Sequence, residues 1–301
     1  MSGTVPPLTR PSLPLAPAGE EWEEAPFWRR WLGSPSAVAG GVIVGAIVLA
    51  ALVSLAWTPY PPLAVAPAHA FARPGPAHLL GTDNYGRDVL SRLMAGSLTT
   101  LFAGVVSVLI AAAIGVPAGL VAASRGGLAS EGIMGLADVV YAFPALLAAI
   151  ALAAAAGAST LTAMVAIGVA YMPVFARVTR SGALQVLSTD YVLVARSYGR
   201  SRAAIVRRHV LPNITPLLIV QSSLLFSLAI LAEAALSYLG LGTPPPAPSW
   251  GAMLQGAQNY LFDDPLLAVW PGLAIALAVL GFNLLGDGLR DVLDPGLRAR
   301  R

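Results

Sequence analysis

Apolar residues run along this chain in six long blocks separated by polar or proline-rich stretches. The blocks cover Ala37–Trp57, Leu98–Ala123, Ile133–Ala156, Leu161–Ala176, Ile214–Tyr238 and Leu266–Leu285. A helix needs about 20 mostly apolar residues to cross a bilayer, so the pattern predicts six transmembrane helices, the fourth of them short. Helix is favoured because lipid cannot satisfy free backbone groups. The alternating ten-residue segments of a membrane barrel do not occur. Pro117, Pro144, Pro173, Pro216 and Pro271 fall inside the blocks and predict kinks.

Composition agrees with the pattern. Only 11% of the 301 residues are charged and 56% are hydrophobic, whereas a soluble domain carries about 25% charge. All 18 basic residues are arginine. Without lysine the chain cannot hold nucleotide in a GxxxxGK[ST] loop, nor form a Schiff base. It has no cysteine, which excludes disulfides and thiolate chemistry. The N-terminal stretch contains Glu20, Glu21, Glu23 and Glu24 where a signal peptide would be basic and then apolar. It reads as a mobile tail with Trp22, Phe27, Trp28 and Trp31 at the membrane interface beside Arg29 and Arg30.

Arginine placement sets the direction. With both termini inside, 15 arginines lie on the inner side and only Arg73, Arg87 and Arg92 outside. The positive-inside rule therefore predicts an N-in, C-in chain. Two outer segments follow. Thr58–Gly96 begins proline-rich and ends in GTDNYGRDVLSRL, where Asp83 or Asn84 could cap a short helix. Leu241–Pro265 contains TPPPAPSWG, which reads as rigid and extended.

One inner segment is too polar to cross lipid. Asp190–Asn213, DYVLVARSYGRSRAAIVRRHVLPN, holds five arginines. Tyr191, Val194, Ala195 and Tyr198 recur at i, i+3, i+4 and i+7, which predicts one apolar helical face. Thr189 or Ser188 could cap the helix, Gly199 bends it, and a second stretch, Arg202–Val210, stops before Pro212. A basic helix of this kind could lie on anionic lipid. The glycine bend and the short links to the fourth and fifth blocks favour docking to a soluble partner.

These residues carry a family resemblance. Asp190, Tyr191, Val192, Ala195, Arg196, Gly199, Arg208, His209, Leu211, Pro212 and Asn213 fit a DYVxAAR…G…RHxLPN pattern. Gly81–Leu93, Leu236–Gly251 and Gly281–Pro295 add further matches in the right order. The chain resembles the "C" permease subunit of dipeptide/oligopeptide ABC importers, a family shared with nickel and glutathione systems. The resemblance implies an all-α polytopic membrane protein of six helices, with a cytoplasmic coupling helix between the fourth and fifth. It divides the chain into a tail (1–35), a first span (36–58), an external loop (59–96), a permease core (97–290) and a C-terminal tail (291–301). Val194, Ala195, Arg196, Ser197, Tyr198, Gly199, Arg200, Ser201 and Arg202 would dock an ATPase through the 189–212 loop. The implied partners are a sister permease, two cytoplasmic ATPase subunits, an external substrate-binding protein and membrane lipid, with no nucleic acid. This chain would be no enzyme and would bind no cofactor or metal, since ATP and magnesium would be used by the ATPase subunits. Its place would be the bacterial cytoplasmic (inner) membrane and its cargo peptides, with nickel, glutathione or another small solute as alternatives.

Ionisable groups within spans default to functional candidates because they are costly there. Asp138 could pair with Arg177 or Arg180, and Asp287 lies at the inner interface near Arg290. Glu233 has no such partner in view, and is a candidate to line the translocation path or to bond to the partner permease. A proton-coupled transporter would need more such groups. An intramembrane aspartyl protease would need a second aspartate beside Asp287, and none sits mid-span.

Overall fold

The computed structural model of the chain describes residues 27–293. A short helix α1 (Phe27–Leu32) leads into α2 (Pro35–Ser54), which Ser34 caps by accepting the Ala37 N–H at 3.4 Å. Trp22 and the rest of the 1–35 tail before Phe27 lie outside the described residues, as do 294–301. After an irregular segment come α3 (Val89–Arg125), α4 (Gly127–Ala142), α5 (Ala145–Ala156) and α6 (Thr160–Leu187). The polar segment forms α7 (Asp190–Ser197) and α8 (Arg202–Ile205), then one wide turn over Val206–Val210. The chain closes with α9 (Leu211–Tyr238), a short α10 (Trp250–Ala257) and α11 (Leu266–Leu293). Among the described residues no strand forms, only an isolated bridge between Thr82 and Asp88.

Five helices are long and apolar enough to cross a membrane: α2, α3, α6, α9 with the turns before it, and α11. The third predicted block differs. It splits into α4 and α5, bent 83° at Phe143–Pro144, so that six spans are reached only if this pair counts as one. The physical reason is local. Phe143 precedes a proline, is driven to an extended conformation (φ −81°, ψ 125°), and cannot continue the helix. Pro117, Pro173, Pro216 and Pro271 instead stay inside their helices.

The fourth span is not short. It continues past Ala176 to Leu187, so Arg177 and Arg180 lie within α6 rather than beyond it. Both have partners there, Asp138 and Ser130 respectively. Before α3, neither Asp83 nor Asn84 caps a helix. Asp88 does so, accepting the Ser91 N–H at 2.8 Å, while Asp83 accepts the N–H groups of Tyr85 and Arg87. The TPPPAPSWG stretch, expected to be extended, runs without a helix from Thr243 to Ser249, and its last two residues, Trp250 and Gly251, open α10, which Ser249 caps.

The seam between α3 and α6 organises the interior. Gly115 and Gly119, four residues apart, let the two backbones meet. A Cβ at Gly115 would stand 2.5 Å from Met172 O, and one at Gly119 would stand 2.5 Å from Ala176 O. Small residues at this spacing are a membrane-helix packing device. Around the seam, Ile167, Phe175, Ala111, Ala149, Leu225 and Ala229 form a buried cluster joining α3, α5, α6 and α9. A second cluster joins α2, α3, α9, α10 and α11 around Trp250 and Ile230. Buried hydroxyls stitch the helices, with Ser107 Oγ donating to Met164 O at 3.2 Å and Ser227 Oγ to Asn283 Oδ1 at 3.0 Å.

Candidate functional site

The polar segment Asp190–Asn213 is mounted on a hydrophobic pad. Val192 and Ile205, with Val210 from the turn, are fully buried against Ala123 of α3, Ala183 of α6 and Ile214 of α9. One patch thus joins the ends of three long helices. The expected side-chain cap is not formed. Thr189 holds the cap position, but its hydroxyl donates back to Val186 O at 2.7 Å and that of Ser188 to Gln185 O at 2.9 Å. Hydroxyls so placed satisfy the end of α6 instead of the start of α7.

Gly199 makes the bend. Its φ of +76° is left-handed, where a side chain is disfavoured. The Gly199 N–H donates to Arg196 O at 3.0 Å and the Arg200 N–H to Ala195 O at 3.3 Å. This pair of bonds closes the C-terminus of α7 and reverses the chain. Ser201 then starts α8 by accepting the Ala204 N–H at 3.3 Å. Behind the bend, Asn213 Nδ2 donates to Tyr191 OH (3.4 Å) and to His209 O (2.6 Å), fastening α7 to the head of α9.

What remains outward is apolar and basic together. Tyr198 is 85% exposed and Val194 54%, with Leu193 beside them. Ala195 is half-buried, and Tyr191 is partly engaged with Asn213. Arg196, Arg200, Arg202, Arg207 and Arg208 are exposed, and none forms an ion pair with a described residue. Ser197 and Ser201 lie on the rim of the same surface.

Glu233, the candidate for the translocation path or the permease interface, is 1% exposed and enclosed among side chains of its own chain. Ser237 Oγ donates to its Oε1 at 2.6 Å, with Thr243 Oγ1 at 3.5 Å, while Oε2 has no hydrogen-bond partner. The buried hydroxyls of Thr100 and Ser249 complete the walls of the nest. Ser237 Oγ also accepts the Thr243 N–H at 3.1 Å. The carboxylate thereby holds the 239–249 segment down on α9. Glu233→Gln keeps the acceptor and the shape, and is expected to leave folding and uptake near wild type. Glu233→Leu strands the hydroxyls and should cost about 1–3 kcal/mol in thermal unfolding of the purified chain. Lost uptake in a stably folded Glu233→Gln protein would support the path-lining role.

Among the other in-span groups, Asn283 bonds to Ser227 and Asp287 is exposed near the end of α11. Asp138 Oδ1 meets Arg177 Nη2 at 2.7 Å, and the Arg177 guanidinium lies 4.4 Å from the Tyr141 ring centre. Of the two arginines the sequence offers for Asp138, the structure pairs it with Arg177, while Arg180 bonds to Ser130. Among the described residues no group of three His, Asp or Glu could hold a metal ion.

The described residues thus form a polytopic helical chain that carries a basic and apolar platform on three of its long helices. Residues 115–299 match the family described as binding-protein-dependent transport system inner membrane component, and residues 22–74 match the N-terminal TM domain of oligopeptide transport permease C. The chain belongs to this family of ABC-importer permease subunits, which are not themselves enzymes. It is 40% identical over 283 residues to the glutathione transport system permease protein GsiD of Pectobacterium atrosepticum, covering 92% of each chain. It is 39% identical to the di/tripeptide transport system permease protein DppC of Pseudomonas aeruginosa, covering 90% of this chain and 92% of the relative. A solved structure, an inward-facing conformation of the MetNI methionine ABC transporter, shares the fold with a TM-score of 0.55 at 19% identity, over 66% of this chain and 95% of that one.

Proposed function

We propose that this chain is one half of the pore of an ATP-driven peptide importer in the bacterial inner membrane. It takes energy through α7, the Gly199 bend and α8. The observation that carries this reading is the exposed Val194–Tyr198 face, set among arginines that pair with no described acid, on a platform shared by α3, α6 and α9. An apolar stripe suits a groove on a soluble partner, and the arginines suit an acidic rim. Val194, Ala195, Arg196, Ser197, Tyr198, Gly199, Arg200, Ser201 and Arg202 form the docking residues. The engine is a pair of ATPase subunits using ATP and magnesium, on the side to which the arginine bias assigns α7. A sister permease supplies the other half of the pore, and an external binding protein delivers cargo to the side bearing the 55–88 segment and α10. The division into a tail (1–35), first span (36–58), external loop (59–96), core (97–290) and C-terminal tail (291–301) belongs to the same reading.

Docking is tested by crosslinking. Cysteine at Ser197 or Ser201, in a chain with none of its own, should form a crosslink to a co-purified ATPase subunit. Failure at both sites returns the segment to a lipid anchor. Cargo is tested by uptake into vesicles holding the whole complex. Labelled di- and tripeptides should enter on ATP addition. Glutathione is the second reading, favoured by the GsiD relative, and preferred uptake of it would replace the first.

A further inference from the structure

The ion pair between Asp138 and Arg177 is oddly placed for a protein in lipid. Asp138 is 11 residues along α4 from Gly127, and Arg177 is 10 residues from the end of α6 at Leu187. At a rise of 1.5 Å per residue both lie about 15 Å from the helix ends on the α7 side. Their agreement in depth is what lets two antiparallel helices bring the groups together. The 28 residues of α6 span about 42 Å. A hydrocarbon core of about 30 Å centred on it leaves about 6 Å projecting on each side. With the core so centred, the pair lies about 9 Å inside the hydrocarbon boundary.

It is also uncovered. The Arg177 side chain is 41% exposed and that of Asp138 64%. The contrast with Glu233, enclosed at similar cost, is direct. Charged groups at membrane depth face a bundle interior or water, not lipid. The middle stretches of α2 and α3, with Val42, Leu49, Phe102 and Leu109 exposed, have no exposed charged group and suit lipid. The Asp138 face is different in kind. Tyr141, 55% exposed, stacks on the guanidinium and leaves the edges of both charges open.

We propose that Asp138, Arg177 and Tyr141 line the water-filled translocation path and form a step at which a peptide's termini exchange with the pair. Resting on the peptide-import reading, this assigns the cargo's α-ammonium to Asp138 and its α-carboxylate to Arg177. The pair neutralises itself when the path is empty, which makes an open charge site tolerable between transport cycles. An exposed pair binds weakly, as a transit step requires, because a passing solute has to leave again.

The test uses the assembled transporter in inside-out vesicles, with Asp138→Cys, Tyr141→Cys and, as the lipid-facing control, Leu109→Cys. The probe is a charged, membrane-impermeant methanethiosulfonate, read by mass on this chain. Asp138→Cys and Tyr141→Cys should react at least about tenfold faster than Leu109→Cys, because the attacking thiolate needs water. Reaction no faster than the control, with and without ATP, overturns the path assignment. Arg177→Gln in complexes of normal yield should slow peptide uptake about tenfold, as the loss of one charge-assisted contact would. Unchanged uptake by that variant overturns the contact with cargo. The labelling needs no cargo, and uptake by the unaltered complex tests the peptide reading separately, so the two failures are distinguishable.

Discussion

A chain carrying Gly115→Val together with Gly119→Val is expected to insert in the membrane but not to pack into a stable permease. At each position the new Cβ alone would come within 2.5 Å of a backbone oxygen of α6. These contacts are with backbone, so no rotamer relieves them. Overpacking of this kind costs about 1–3 kcal/mol per site, and total stability is only about 5–15 kcal/mol. The second contacts are equally fixed, Phe175 Cβ at 2.6 Å and Thr179 Cβ at 2.7 Å. The helices have to separate, and with them goes the cluster linking α3, α6 and α9. Gly45→Val is the matched control, because nothing lies within 4 Å of that position. Thermal unfolding and protease resistance in detergent measure the difference. A double variant as stable as the control would show that the seam does not set stability.

The second large effect concerns coupling. Val194→Asp with Tyr198→Asp should leave the fold intact and remove ATP-driven uptake. Val194 is 54% and Tyr198 85% exposed, so neither belongs to the buried core. In a docked complex they would be desolvated, and apolar anchors at such interfaces are each worth about 2 kcal/mol or more. That is about thirtyfold or more in affinity per residue. Co-purification of the ATPase subunits and peptide uptake are the two readouts. Retention of both at wild-type level would move the docking surface elsewhere.

Much of the architecture is written in the apolar blocks, and what is not has definite causes. The ends of α6 were hidden because Arg177 and Arg180 mark a membrane boundary by composition alone. Their partners, Asp138 and Ser130, lie far away in sequence on α4. A charge that is paired across helices does not end a span, but the pairing is a tertiary fact. Pro144 illustrates the converse. Five prolines occupy apolar blocks, and four of them sit quietly inside helices. The fifth breaks its block, with Phe143 held extended before it. The bend at Gly199 was legible because left-handed backbone has so few hosts. Glu233 was only half legible. Ser237, four residues on, is visible in any helical reading, but Thr243 returns to the carboxylate only after the chain has reversed past Gly240. An isolated acid in a greasy block shows nothing in the sequence of the hydroxyls that the fold gathers around it.

The break between α4 and α5 has a consequence for the surrounding bilayer. With 16 and 12 residues, these helices reach only about 24 and 18 Å, less than the roughly 30 Å of hydrocarbon. Their junction therefore falls at a depth where acyl chains offer nothing to a carbonyl that has lost its helical partner. Lipid is the wrong neighbour for that elbow. It has to be sheltered by protein or wetted by water, so the bend marks a place on the chain's flank where acyl chains are not the natural neighbour.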